Sequence, residues 1–184
     1  MKFVFDIETL GWLTCFVSKE DGSILKVSHS SDYGDAFQAF LNAVFVFRQR
    51  VQEAPAVWAP FSIDLKWADD FLCFNWTISL TEHPGFLNIK IEEFTGDGQS
   101  CLGVLFDEKV SLSTLLADLY TSLDKLFSRL GFIGYKNAWE AGNFPVAEYI
   151  ILKTERQQTP EMEQVKTWTD RLDSEQEINI LLRS

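Results

Sequence analysis

Hydrophobic and polar residues alternate from the start of the chain. Phe3, Phe5 and Ile7 fall on one side of an extended segment and Val4, Asp6 and Glu8 on the other, so residues 2–8 read as a strand with one polar end. Leu10 to Lys19 reads as a second strand. Lys19-Glu20-Asp21-Gly22-Ser23 is a hairpin turn, because its Asp-Gly pair supplies the positive φ that a tight reversal requires, and residues 24–29 return as a third strand. After Ser30-Ser31-Asp32, which can cap a helix, Ala36, Phe37, Phe40, Leu41, Val44 and Phe45 recur at helical spacing to about Arg48. This predicts one amphipathic helix packed on the opening strands.

From residue 57 the period switches to two. Phe61, Ile63, Leu65 and Trp67 alternate with Ser62, Asp64 and Lys66; Leu72, Phe74, Trp76, Ile78 and Leu80 alternate with Cys73, Asn75, Thr77 and Ser79. Asp69-Asp70, Glu82-His83-Pro84-Gly85 and Gly96-Asp97-Gly98 are turns, and residues 87–92 and 101–109 supply two more strands. Four strands with short turns predict an antiparallel meander with one apolar and one wet face. Residues 111–130 carry a leucine stripe from Leu112 to Leu130, with Gly131 placed for a C-terminal cap, and this helix is expected to lie across the sheet. Residues 145–156 form a further short helix opened by Pro145. From 157 to 184 hydrophobic density falls and charge rises, as in a peripheral helical tail. The expectation is a single α+β domain over 1–156: an N-terminal strand group and helix, a β-meander, and a long amphipathic helix packing the sheet.

Composition adds constraints. With 46% hydrophobic residues and 16 Phe, 6 Trp and 4 Tyr, 184 residues can build a sizeable core. The formal net charge of -11 argues against gripping a nucleic-acid backbone. The N-terminus carries Asp6 and Glu8 inside its apolar run, unlike a signal peptide, and no apolar stretch is long enough to span a membrane, so a cytoplasmic protein is expected. Cys15, Cys73 and Cys101 form no Cys-x-x-Cys and read as reduced thiols, and the Asn75-Trp76-Thr77 sequon falls within a strand. No nucleotide-cradling glycine motif occurs; no cofactor or metal site is expected.

Phe5-Asp6-Ile7-Glu8-Thr9 resembles the first motif of DEDD-type 3′-to-5′ exonucleases. Alternate strand residues face the same way, so two such carboxylates can reach one hard cation. Tyr120 and Asp124 fit the family's Tyr-x-x-x-Asp, yet the second motif is missing and residues 57–109 hold four successive strands where that fold alternates helix and strand. The likeness implies an alternative reading as a metal-dependent exonuclease. His29 and His83 read as surface or turn residues rather than partners of a serine nucleophile.

A wider pattern comprises Leu10-Gly11-Trp12-Leu13-Thr14, Gly34-Asp35 before a Phe-rich helix, Pro84-Gly85, Ile89-Lys90-Ile91-Glu92-Glu93-Phe94, Leu130-Gly131, Gly134-Tyr135, Trp139 and Phe144-Pro145. It resembles a family of small bacterial cytosolic proteins encoded near polymorphic-toxin and contact-dependent inhibition loci and taken to be immunity proteins. The resemblance covers about residues 9–152 and implies a non-enzymatic binding protein that neutralises a cognate toxin domain. An acidic inhibitor can steer onto a basic partner. The candidate acidic surface is the wet face and turns of the meander: Asp64, Asp69, Asp70, Glu92, Glu93, Asp97, Asp107 and Glu108. An exposed Trp58, Trp67 or Trp139 would mark an interface better than a carboxylate. The aromatic surplus leaves room for a homodimer.

Overall fold

A computed structural model describes residues 1–53, 60–157 and 178–181. Contacts divide the chain into two units, Met1–Phe144 and Pro145–Ser184. In the first, β1 (Lys2–Thr9), β2 (Trp12–Ser18) and β3 (Ile24–Ser30) form one antiparallel sheet, and α1 (Ala36–Glu53) follows a single 3₁₀ turn at Ser31–Tyr33. β4 (Ser62–Ala68), β5 (Leu72–Leu80), β6 (Phe86–Thr95) and β7 (Cys101–Ser111) form the second sheet, an antiparallel meander in sequence order. α2 (Leu112–Ala138) completes the unit. The class is α+β, as the alternation predicted.

The two periodicities converge on one aromatic core. Phe3, Phe5, Ile7, Leu13, Cys15, Val17 and Val27 are buried on one side of the first sheet; Trp67, Phe74, Trp76, Ile78, Ile89 and Ile91 are buried on one side of the second. Phe37, Phe40, Leu41 and Val44 of α1 are fully enclosed. The Phe5 ring lies 5.2 Å from Phe37 and 5.0 Å from Phe40, and Phe40 packs at 5.4 Å on Trp76. Truncating any of these rings to alanine costs about 3–5 kcal/mol. The indole N–H groups of Trp67 and Trp76 have no acceptor among protein atoms.

The first helix starts later than the capping triplet suggested. Ser30 caps the start of the 3₁₀ turn by accepting from Asp32 N, whereas Asp35 Oδ1 accepts from Gln38 N at 3.1 Å and caps α1. Gly131, at φ 61°, does end a helical run, but the chain resumes as helix to Ala138, whose carbonyl accepts from Gly11 N at 2.8 Å.

α2 packs chiefly along β1 of the first sheet, with slighter contact to β7 of the meander. There it satisfies the outward backbone groups of an edge strand. Phe3 N donates to Asp118 Oδ2 (2.8 Å), Phe5 N donates to Ser122 Oγ (3.0 Å), and Arg129 Nη2 donates to Ile7 O (3.0 Å). Two strand residues advance about 6.8 Å and four helical residues about 6 Å, so side chains spaced i, i+4 can follow alternate amides.

In the second unit α3 spans Val146–Gln157, and Tyr149 N bonds Pro145 O at 3.0 Å. Lys153 Nζ donates to Leu181 O at 3.4 Å. Hydrophobic density falls at 156/157, and contacts divide the chain at 144/145. Most of the expected tail, and Trp58, lie outside the described residues.

Candidate functional site

The eight candidate carboxylates do not form one patch. On the outer face of the meander the register aligns Asp64, Thr77, Lys90 and Asp107 in one row and Lys66, Asn75, Glu92 and Val104 in the next. A third row ends Asn88, Lys109. Asp64, Glu92 and Asp107 therefore share this face with Lys66, Lys90 and Lys109, and the face is charge-balanced. Thr77 Oγ1 donates to Asp64 Oδ1 (2.8 Å), Asn88 Nδ2 to Asp107 Oδ1 (2.9 Å), and Lys90 Nζ lies 2.7 Å from Glu92 Oε1. Asp64, Leu65, Lys66, Asn75, Thr77 and Glu92 line a shallow open depression of about 380 Å³.

Glu93 and Glu108 belong to the other face. Glu93 pairs with Phe74, and Glu108 with Ile89, both buried partners. Register shifts between Ile91 and Glu92 and between Glu93 and Phe94 interrupt the β6–β7 ladder, which simple alternation could not register.

Asp69 and Asp70 lie on one turn and Asp97 on another, and the two turns touch at the end of the sheet. A Cβ at Gly96 would lie 2.8 Å from Phe71 O, so glycine is what lets the second turn sit against the first. Cys73 Sγ donates to Gly96 O at 3.2 Å. Asp69 Oδ1 accepts from Phe71 N (2.8 Å) and Leu72 N (2.7 Å), and Asp69 N donates to Leu72 O (2.9 Å). Asp97 Oδ1 accepts from Thr95 Oγ1 and from Gln99 N; the Thr95 hydroxyl, then the Gln99 amide, hold its carboxyl below the usual range. Both carboxylates thus brace their own turns, and Asp70 is exposed.

At this tip stands a residue the sequence reading passed over. Phe71 is 81% exposed, while Trp67 and Trp139, two of the three proposed interface markers, are fully buried. Phe71-Leu72-Cys73-Phe74 reads as the start of a strand, and only the two Asp69 hydrogen bonds reveal that Phe71 belongs to the turn. The aromatic face it offers is held at a braced reversal.

The carboxylates of the exonuclease-like motif have other partners. Asp6 Oδ2 lies 2.7 Å from Lys125 Nζ and Oδ1 2.6 Å from Arg129 Nη2, so Asp6 clasps α2 to β1. Glu8 Oε2 binds Lys26 Nζ (2.6 Å) and Thr14 Oγ1 (2.8 Å), and Lys26 followed by Thr14 lowers its pKa. A cation reaching Asp6 would compete with two fixed positive charges. Among the described residues no group of three His, Cys, Asp or Glu side chains is placed to hold a metal.

His83 sits in its exposed hairpin turn, but His29 corrects the sequence reading. It is 1% exposed, because it continues the inward face of β3 two residues after Val27. Its Nδ1 accepts from Ala68 N at 2.8 Å and its Nε2 lies 3.0 Å from Gly34 O. The three cysteines are free thiols, Cys15 and Cys73 buried and Cys101 exposed. Among the described residues no helix is long and apolar enough to cross a membrane.

Comparison of the chain with family models, with curated proteins and with solved structures finds no match.

Proposed function

We propose that this chain is an immunity-type cytoplasmic protein that binds and neutralises a toxin domain, acting by occupation rather than catalysis, with its contact surface centred on Phe71. One observation carries the reading: a phenylalanine 81% exposed on a turn braced by two backbone N–H groups donating to Asp69 Oδ1, with a second acidic turn against it. Burying an aromatic anchor supplies much of the affinity in protein interfaces, and a pre-braced turn loses little conformational freedom on docking. Asp70 and Asp97 beside the anchor, on a chain of net charge -11, favour a basic partner and steer its approach. The outer face of the meander contributes less, because its lysines match its carboxylates.

The test is capture from the native host at low salt, followed by mass spectrometry, with wild type, Phe71→Ser and Asp70→Lys as baits. Wild type retains a basic, toxin-like protein, Phe71→Ser loses it, and Asp70→Lys slows association and flattens its salt dependence. Both variants keep their stability within about 0.5 kcal/mol, since each site is exposed. Retention of the partner by Phe71→Ser would remove Phe71 from the interface; capture of nothing by wild type would overturn the reading.

A further inference from the structure

His29 lies where the two sheets meet and at the root of the turn that carries Phe71. Ala68, whose amide it accepts, is the last residue of β4; Asp69 begins the turn. Both ring nitrogens are committed. Because Ala68 N–H donates to Nδ1, that nitrogen carries no proton, and Nε2–H donates to Gly34 O. The neutral Nε2–H tautomer satisfies both bonds. An imidazolium cannot, for its Nδ1–H would face the Ala68 N–H as donor against donor.

We propose that His29 is a proton-operated latch: protonation of its imidazole releases Ala68 and loosens the β4–β5 turn that presents Phe71. As a device that regulates binding, it rests on the reading that this turn is the contact element.

The surroundings decide which way the ring leans. Trp67 of β4 lies 5.9 Å away, Trp139, just past α2, 6.0 Å, and Tyr33 of the 3₁₀ turn 6.5 Å, while its register partner on β2 is Leu13. The charged groups acting on it are Asp35 at the start of α1 and Asp69 after β4, and both favour the cation. Each already accepts two N–H bonds, Asp35 from Gln38 and Trp139, Asp69 from Phe71 and Leu72. Burial outweighs them and lowers the pKa below its usual 6.5. The sign follows: a folded pKa below the unfolded one means that the neutral ring's contribution is complete above about pH 6.5 and is lost as pH falls through the folded value.

The experiment is two-dimensional NMR on the full chain from pH 7.5 to 5, following the His29 ring titration and the exchange of the Ala68 to Leu72 amides, corrected for intrinsic rates. Wild type and His83→Gln lose protection at Ala68 by about tenfold relative to core amides, with the midpoint of the His29 titration. His29→Gln, whose amide can accept from Ala68 and donate to Gly34 without titrating, shows no such step. Should that variant not fold, coincidence of the two midpoints in wild type decides alone. Protection that persists after His29 protonates, or an equal loss in a folded His29→Gln, overturns the latch. No partner is needed, so failure of the latch and failure of the binding reading are read separately.

Discussion

The Asp35 carboxylate serves two elements at once. Oδ1 caps α1 through Gln38 N and also accepts from Trp139 Nε1 at 3.0 Å, while a Cβ at Gly142 would collide with Oδ2. Asp35→Ala removes a helix cap and orphans a buried indole N–H, a loss of about 2–4 kcal/mol. Gly142→Ala displaces the carboxylate and costs about 1–3 kcal/mol. Urea midpoints at unchanged m value check both; a Gly142→Ala midpoint equal to wild type would mean the carboxylate moves aside freely. Such residues were unevenly legible. The Ser30-Ser31-Asp32 triplet and Asp35 both carry capping chemistry, and only the site where α1 enters the core chooses between them. His29 was readable, since Val27 and His29 share a strand face. Phe71 was not, because an apolar residue beside an apolar strand gives no sign that the turn has claimed it.

Among the elements, the strands and the leucine stripe of α2 were plain from period alone, and so was the meander. The docking of α2 on β1 was hidden. Asp118 and Ser122 look like ordinary polar residues beside the stripe, and the amides they accept lie 115 and 117 residues earlier. Ser122→Ala leaves the buried Phe5 N–H without an acceptor and costs about 1–3 kcal/mol, with faster exchange of that amide as its signature. Asp118 behaves differently, since burial first of all raises its pKa against the Phe3 amide and the nearby positive charges. A carboxyl raised in the folded state adds stability as pH falls through the folded value, and its charge carries a cost at neutral pH. Asp118→Asn keeps an acceptor oxygen without the charge. It should equal or exceed wild type at pH 7 and lose part of the gain on acidification, whereas Asp118→Ala is less stable throughout. Urea titrations at pH 4 and 7 separate them.

At the scale of the whole chain, periodicity foretold the α+β class and composition the aromatic core, while the net charge did not say where the acidity lies. A net charge of -11 is a sum, and the meander face shows how little it says of any one surface: Asp64, Glu92 and Asp107 meet three lysines there. The excess still acts globally. Exposed ion pairs such as Glu8–Lys26 contribute only about 0–1 kcal/mol each, so self-repulsion among the excess carboxylates is expected to dominate the response to salt. Raising NaCl from about 0.02 to 0.3 M should therefore raise the urea midpoint. A fall instead would mean that clasps such as Asp6 with Lys125 and Arg129 outweigh the long-range field.

The hydrogen bonds between β1 and α2 also set an order of events during synthesis. β1 leaves the ribosome before α2, with the edge amides of Phe3 and Phe5 open, and the groups that close it follow 115 and 117 residues later. At typical elongation rates that delay is roughly 6–23 s. Through that interval the nascent first sheet offers a pairing edge to any neighbouring extended chain. The arrival of Asp118 and Ser122 ends the exposure by taking up those two amides.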